Sequence, residues 1–253
     1  MSLTGKTIAG SYKDLLQINN SNSGVDATTR NIADGNGSAS ALNLSDDVVT
    51  VKPNNDDTTG LFLVENSSGD DLLKVDSTNS LVYGPNSTLM NTQYKAFYGL
   101  QLNAVANTWY PLHWNGASTS VSDNLGTGSA PATTHTATYT SIPLYWYIHD
   151  NITIDEVKVF HMGDDSASTD DLSYSLNSFT LDSSGAGAGD LSSGVVHASG
   201  TSKTIDNADM DVNTITISTA NIDSGKIALM CVRGGSTTNN DITCQVSIKY
   251  HLR

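Results

Sequence analysis

The chain has 253 residues, enough for one large domain or two small ones. It carries 12 Lys and Arg against 26 Asp and Glu, and a net charge of −14 repels phosphate backbones, which argues against a nucleic-acid-binding protein. Charged residues are only 15% of the chain, and the Ser, Thr, Asn, Asp and Gly that replace them favour turns and strands over helices. The longest apolar runs, 142–148 and 227–232, are too short for a membrane-spanning helix, so no membrane insertion is expected.

Short apolar segments separated by turn-forming residues occupy residues 1–85. Turn-rich separators lie at 54–57, 66–70 and 76–79, and the later segments recur about every ten residues, as in strand–turn–strand units. The stretch 19–40 is polar throughout most of its length. The segments that predict short strands begin at Leu15, Leu42, Val48, Leu61, Leu72 and Leu81.

These N-terminal strands are too short and too sparse to enclose a core within one chain. An isolated two-stranded hairpin is only marginally stable in water. The simplest partners for the apolar side chains are identical copies of the chain, so we expect residues 1–85 to form an oligomeric stalk. A partly disordered N-terminal arm is the alternative interpretation.

Residues 86–253 have longer apolar runs and predict a second domain, interrupted by a long polar loop at 115–140. Alternation of apolar and polar residues is kept over residues 242–252, which predicts a half-buried strand. The extra residue at Asp155 and Glu156 shifts the alternation and predicts a β-bulge. About eight strands are expected, and this number suits an all-β sandwich with a jelly-roll-like arrangement.

Two cysteines, Cys231 and Cys244, lie in apolar or alternating segments and are expected to be small buried side chains in neighbouring strands. A hairpin centred near Thr237 would place them almost opposite each other, so a disulfide is an alternative. A chain made in a reducing cytosol would keep them as thiols.

No combination of residues in the chain carries a recognisable catalytic chemistry, so neither an enzyme nor a cofactor is expected. Asp209, Asp211 and Asn213 resemble the opening of a calcium loop, but Thr214 stands where an EF-hand loop needs glycine and no closing Glu follows. A solvated loop is the simplest interpretation. A Ca²⁺ or Mg²⁺ ion shared between subunits is the alternative.

Aromatic residues flank the long polar loop and are candidates for contacts with a glycan or a partner protein. Aromatic rings exposed beside polar loops commonly bind sugars or protein partners, although packing in the core is the commoner role of such residues. The candidates are Trp109, Trp114, Tyr145 and Tyr147.

Parts of the first third resemble known phage proteins. Residues 5–18 (GKTIAGSYKDLLQI), 24–30 (GVDATTR) and 40–45 (SALNLS) resemble the N-terminal region of fibre and decoration proteins of tailed phages, particularly marine ones. Residues 61–79 are similar to the short strand repeat of trimeric fibre shafts. The resemblance implies a homotrimer, a virion location and an N-terminal segment that docks on the particle. It does not extend to residues 100–253.

Together these observations predict a structural protein of the virion surface, assembled in the host cytoplasm, with capsid or tail proteins as partners and a host-surface glycan or protein as a further one. A short stalk with one compact head favours a short capsid fibre or decoration protein. A tail-fibre or tail-tip receptor-binding protein is the alternative, followed by a polysaccharide depolymerase head. The predicted docking and trimer contacts are Tyr12, Leu15, Leu16, Ile18, Leu61, Leu63, Leu72 and Val75.

Overall fold

Antiparallel β-strands form nearly all the regular structure of the protein in a computed structural model, which confirms the all-β class. No helix among the described residues has the length and apolar character needed to cross a membrane. The chain divides into two units, Met1–Met90 and Asn91–Arg253, whereas the sequence interpretation places the boundary after residue 85. The structure describes residues 15–18, 20–21, 23–103, 107–112, 124–137, 144–163, 171–204, 209–235 and 241–253.

The described residues of the N-terminal unit form two small sheets, and six of the seven strands in these sheets fall in the predicted apolar segments. The first sheet consists of β1 (Gln17–Ile18), β2 (Arg30–Ala33), β3 (Ala39–Leu44) and β4 (Val49–Val51) in that order. The second consists of β5 (Phe62–Glu65), β6 (Asp71–Asp76) and β7 (Leu81–Tyr83). Strand β2 is not predicted from the sequence. It lies in the stretch 19–40, which reads as polar because Ile32 is the only residue of β2 with a strong preference for strands.

Two larger antiparallel sheets form the part of the C-terminal unit that the structure describes. The β11–β18 sheet has the order β14-β11-β18-β8, with β16 paired to β11, and the β12–β17 sheet has the order β10-β17-β12-β13-β15, with β9 paired to β17. Strands of the first are β8 (Thr92–Asn103), β11 (Ile152–Gly163), β14 (Asp211–Thr214), β16 (Asn221–Ile222) and β18 (Asp241–Leu252). Strands of the second are β9 (Trp109–Pro111), β10 (Trp146–Tyr147), β12 (Asp171–Leu181), β13 (Leu191–Thr204), β15 (Thr216–Ile217) and β17 (Lys226–Gly234).

One apolar core lies between these two sheets, which gives the unit a sandwich-like architecture. Val157 and Val246 from one sheet and Leu176 and Met230 from the other belong to a single cluster of buried side chains. A second cluster occupies the opposite face of the β12–β17 sheet, which we call its outer face. Its buried members are Trp109, Leu125, Phe179, Leu191, Ile227, Leu229 and Cys231.

The alternation predicted for the last strand is confirmed. In β18 the side chains of Cys244, Val246 and Ile248 are buried, while those of Thr243 and Gln245 are exposed. The predicted bulge in β11 is also confirmed, because the register between β11 and β18 shifts between Ile154 and Glu156. The described part of the second unit has eleven strands rather than about eight. The number is higher because two short strands can pair with different parts of the same long strand, as β14 and β16 both do with β11.

The two cysteines are buried free thiols, but they do not lie on neighbouring strands of one sheet. Cys231 is in β17 and Cys244 is in β18, and these strands belong to different sheets. The expected burial is confirmed, but the expectation of neighbouring strands is wrong, and so is the alternative of a hairpin that places the two cysteines opposite each other. Both cysteine-containing segments are strands, as predicted. The chain passes from one sheet to the other between them, so the two strands do not pair with each other.

Candidate functional site

Tight polar turns hold the three strands of the β5–β7 sheet together. In the turn between β5 and β6, the Asn66 side chain accepts hydrogen bonds from the backbone amides of Ser68 and Asp70 at 2.8 and 3.0 Å. Gly69 adopts a φ of 86° in this turn, a conformation that glycine reaches without strain. Between β6 and β7, Asp76 accepts hydrogen bonds from the backbone and side-chain nitrogens of Asn79 at 2.9 and 2.8 Å.

One face of this sheet carries five apolar side chains. Phe62 pairs with Val75, which pairs with Val82, and Val64 pairs with Leu73. Paired residues point to the same side of a sheet, as do residues two apart on one strand, so all five side chains share a face. Phe62, Val64 and Val82 remain 41%, 40% and 40% exposed in the single chain. We call this set of five side chains the apolar face.

The opposite face of the same sheet is mixed in character. Leu63 lies across from Lys74, and Lys74 lies across from Tyr83, with the Lys74 ammonium 5.1 Å from the centre of the tyrosine ring. Asp76 is on this face, and the hydrogen bonds from Asn79 lower the pKa of its carboxyl. Leu72 also belongs to this face by alternation and is 46% exposed. Charge and apolar surface are therefore interspersed here.

Burial in the described part of the N-terminal unit is slight. Its only buried hydrophobic side chains are Ile32 and Ala33, which are 7% and 6% exposed. By contrast, twelve of its large hydrophobic side chains are exposed. They are Leu15, Leu16, Val25, Leu42, Val48, Val49, Phe62, Leu63, Val64, Leu72, Val82 and Met90.

The predicted docking and trimer residues fall at several places in the N-terminal unit. Leu15 and Leu16 are 51% and 68% exposed, and Ile18 in β1 pairs with Ile32. Val75 lies on the apolar face. Leu61, Leu63 and Leu72 lie on the mixed face by alternation, while Tyr12 is outside the described residues. Phe62, Val64 and Val82 on the apolar face are not among the contacts predicted from sequence, although the alternation within each short segment could have distinguished the two faces.

The four aromatic candidates do not form one surface. Trp109 is 2% exposed, so its ring lies in the second core cluster and does not face a ligand in solvent. Tyr145 is half-buried, and its hydroxyl donates to the Gly189 carbonyl at 3.0 Å. Tyr147 is 43% exposed. Trp114 is outside the described residues.

The candidate calcium residues lie at and just before strand β14. Asp209 is exposed, and Asp211 and Asn213 are half-buried. The carboxylate of Asp211 lies 3.7 Å from Nε2 of the buried His161. No group of three or more His, Cys, Asp or Glu side chains in the described parts of the chain is arranged to hold a metal ion.

No protein-family model matches the chain, and no curated protein matches it. A match among solved structures is an alpha-amino acid ester hydrolase labelled with selenomethionine, with 9% sequence identity and a TM-score of 0.29. The match covers 63% of this chain and 32% of the hydrolase chain, so this chain spans about a third of that protein. A similarity this low carries no conclusion about fold or function.

Proposed function

We propose that the chain is a structural protein of a phage virion, a short capsid fibre or decoration protein that assembles as a homotrimer. The N-terminal unit self-associates and docks on the particle, and the C-terminal unit is displayed outward. The observation that carries this proposal is the N-terminal burial pattern, in which two hydrophobic side chains are buried and twelve are exposed among the described residues. The resemblance of residues 5–79 to phage fibre and decoration proteins supports the same role.

Self-association buries apolar surface that the N-terminal unit leaves exposed in a single chain. Ordering a residue costs about 1–2 kcal/mol of backbone entropy, which burial of apolar surface must offset. Complete burial of a Val or Phe side chain contributes about 1.5–3 kcal/mol, so covering the exposed two fifths of Phe62, Val64 or Val82 adds roughly 0.6–1.2 kcal/mol each. Three copies that turn their apolar faces to a common axis gain this contribution from every copy.

We infer that the C-terminal unit is a jelly-roll head. In support, the chain passes repeatedly between the two sheets: β8, β11 and β18 lie in one, while β9, β12, β13 and β17 lie in the other. The sheet orders β14-β11-β18-β8 and β10-β17-β12-β13 agree with two interlocked Greek keys. Jelly rolls occur in viral capsid proteins and lectins, so the head is compatible with a virion role, but a fold alone does not assign a function.

Immunogold labelling of intact particles tests the location. We expect gold over the capsid when antibodies against the chain are applied to particles of the phage that encodes it. Gold confined to the tail would replace the proposal with a tail-fibre or receptor-binding role, and particles without label would refute a virion role.

Reconstitution on particles that lack the protein tests the docking role of the N-terminal unit. We expect the full chain to restore labelling and residues 91–253 alone to leave the particles bare. Attachment of the shorter chain would contradict the assignment of docking to the first unit.

A further inference from the structure

A cleft of about 240 Å³ opens on the outer face of the β12–β17 sheet. The register brings its side chains together from four strands: Arg233 pairs with Trp109 on one side and with Ser173 on the other, and Ser175 pairs with Ser199 in the next row. The cleft is smaller than the about 300–1,000 Å³ typical of sites for drug-sized ligands. It is the right size for a single sugar ring or a similarly small group.

The guanidinium of Arg233 is held in one orientation beside this cleft. Its central carbon lies 5.2 Å from the centre of the Trp109 ring, and its Nη1 donates to the Gly128 carbonyl at 2.8 Å. The indole nitrogen of Trp109 donates to the same carbonyl at 3.0 Å. These two hydrogen bonds connect Gly128 to the sheet, and the neighbouring Ser129 forms part of the cleft wall. Trp109 is thus a positioning residue for the arginine.

The guanidinium has unused donor capacity. Its Nε is buried and has no hydrogen-bond partner, and none of the ion pairs among the described residues includes Arg233. A buried donor of a charged group that lacks a partner is unfavourable. The guanidinium is a planar fork that matches the two oxygens of a carboxylate. Because Nε itself has no accessible surface, the part of Arg233 that lines the cleft is the rest of its guanidinium, and its positive charge points to an anionic ligand.

The rest of the cleft offers hydroxyl groups. Ser173 is half-buried, and Ser129 and Ser199 are exposed, so all three side chains lie where solvent reaches them. A hydroxyl both donates and accepts hydrogen bonds, as the hydroxyls of a sugar ring also do. No Asp or Glu lines the cleft among the described residues. At physiological salt the Debye length is about 8 Å, so the net charge of −14 elsewhere is largely screened.

We propose that this cleft binds a carboxylate-bearing sugar, such as a hexuronic acid unit of a surface polysaccharide. Arg233 binds the carboxylate through its guanidinium, and the serine hydroxyls bind the ring hydroxyls. The biological meaning of this assignment rests on the proposed display of the head at a virion surface. The binding itself is a property of the C-terminal unit and is measured without particles or a defined oligomer.

Binding of three probes to the full-length protein tests the assignment. The probes for ligand-observed NMR titrations are sodium D-glucuronate, D-glucose and sodium acetate. Glucuronate has both the sugar ring and the carboxylate, whereas glucose has only the ring and acetate only the carboxylate. We expect glucuronate to bind roughly tenfold or more tightly than either of the other two, because only it satisfies both the arginine and the serines. Equal affinity for glucose, equal affinity for acetate, or no binding of glucuronate would each overturn the proposal.

Variants locate the binding to the cleft. Arg233→Gln and Arg233→Lys should both weaken glucuronate binding roughly tenfold, because lysine keeps the charge but lacks the planar fork. Ser199→Phe should block the cleft while leaving every contact of Arg233 in place, and it serves as the second test if an Arg233 variant fails to fold. Arg253→Gln, which removes an arginine paired with Asp223, is the matched control and should bind as the parent does. Unchanged binding by Ser199→Phe and by a folded Arg233 variant would overturn the site.

Discussion

At the scale of single residues, the buried histidine His197 is held as a neutral ring. Its Nδ1 lies 2.7 Å from the Thr219 carbonyl, which can only accept, so Nδ1 carries the proton and donates it. Its Nε2 is then the acceptor for the Ser178 hydroxyl at 2.7 Å. Burial lowers the pKa of His197 from its ordinary value of 6.5, against the opposing effects of the Thr219 hydrogen bond and the Asp223 carboxylate.

This arrangement predicts a loss of stability on mild acidification. Because the pKa of His197 is below 6.5 in the folded protein, the unfolded chain binds a proton at this residue at a higher pH than the folded chain does. The contribution of His197 to stability is therefore complete above about pH 6.5 and decreases as the pH falls below that value. His161, whose pKa burial also lowers, acts in the same direction. Thermal unfolding between pH 8 and pH 5 should show a falling midpoint. The His197→Gln variant should show a shallower fall.

His149 provides the control for this experiment, because its side chain is exposed. His149→Gln makes the same substitution at an exposed position and is measured in parallel. An identical pH dependence in His197→Gln and in the parent would contradict the assignment of the effect to His197.

The two thiols should be unreactive while the protein is folded. Burial raises the pKa of both Cys231 and Cys244 to about 12, and the thiolate is the reactive form. Titration with a chromogenic disulfide reagent at pH 8 should therefore detect no thiol in the native protein and two per chain in denaturant. Rapid reaction of either cysteine without denaturant would contradict the burial described above.

At the scale of elements, the apolar face of the β5–β7 sheet makes a prediction that separates its two sides. Phe62 and Leu63 are adjacent in β5, are 41% and 45% exposed, and point to opposite faces. Phe62→Ser should dissociate the oligomer at micromolar concentration, whereas Leu63→Ser should leave it assembled. Sedimentation velocity measures both variants under the same conditions. Dissociation by Leu63→Ser alone would place the contact on the mixed face instead.

Features that depend on local sequence could be predicted, whereas features that depend on contacts between distant segments could not. The β18 alternation and the β11 bulge could be predicted because period and slip are local properties of one strand. Strand β2 could not, because pairing with β1 and β3, rather than its own composition, makes it a strand. The partner sheet of Cys231 and the meeting of Arg233 with Trp109 depend on connections between distant segments, which a single sequence does not reveal.

At the scale of the whole molecule, the two units differ in how completely they bury their apolar residues. The C-terminal unit has a continuous core between two sheets, whereas the N-terminal unit buries only Ile32 and Ala33 among its described hydrophobic residues. Residues 91–253 alone should therefore unfold cooperatively and sediment as a single chain. Aggregation of this fragment would contradict independent folding of the C-terminal unit. Its assembly into the same oligomer as the full chain would contradict the assignment of self-association to the N-terminal unit.

Self-association of the opening unit is the claim on which the proposed role depends, and the mass of the full-length protein in solution tests it most directly. Light scattering coupled to size exclusion should give three times the chain mass of 26.7 kDa. A stable species of one chain mass at micromolar concentration would contradict the trimer and the virion role built on it.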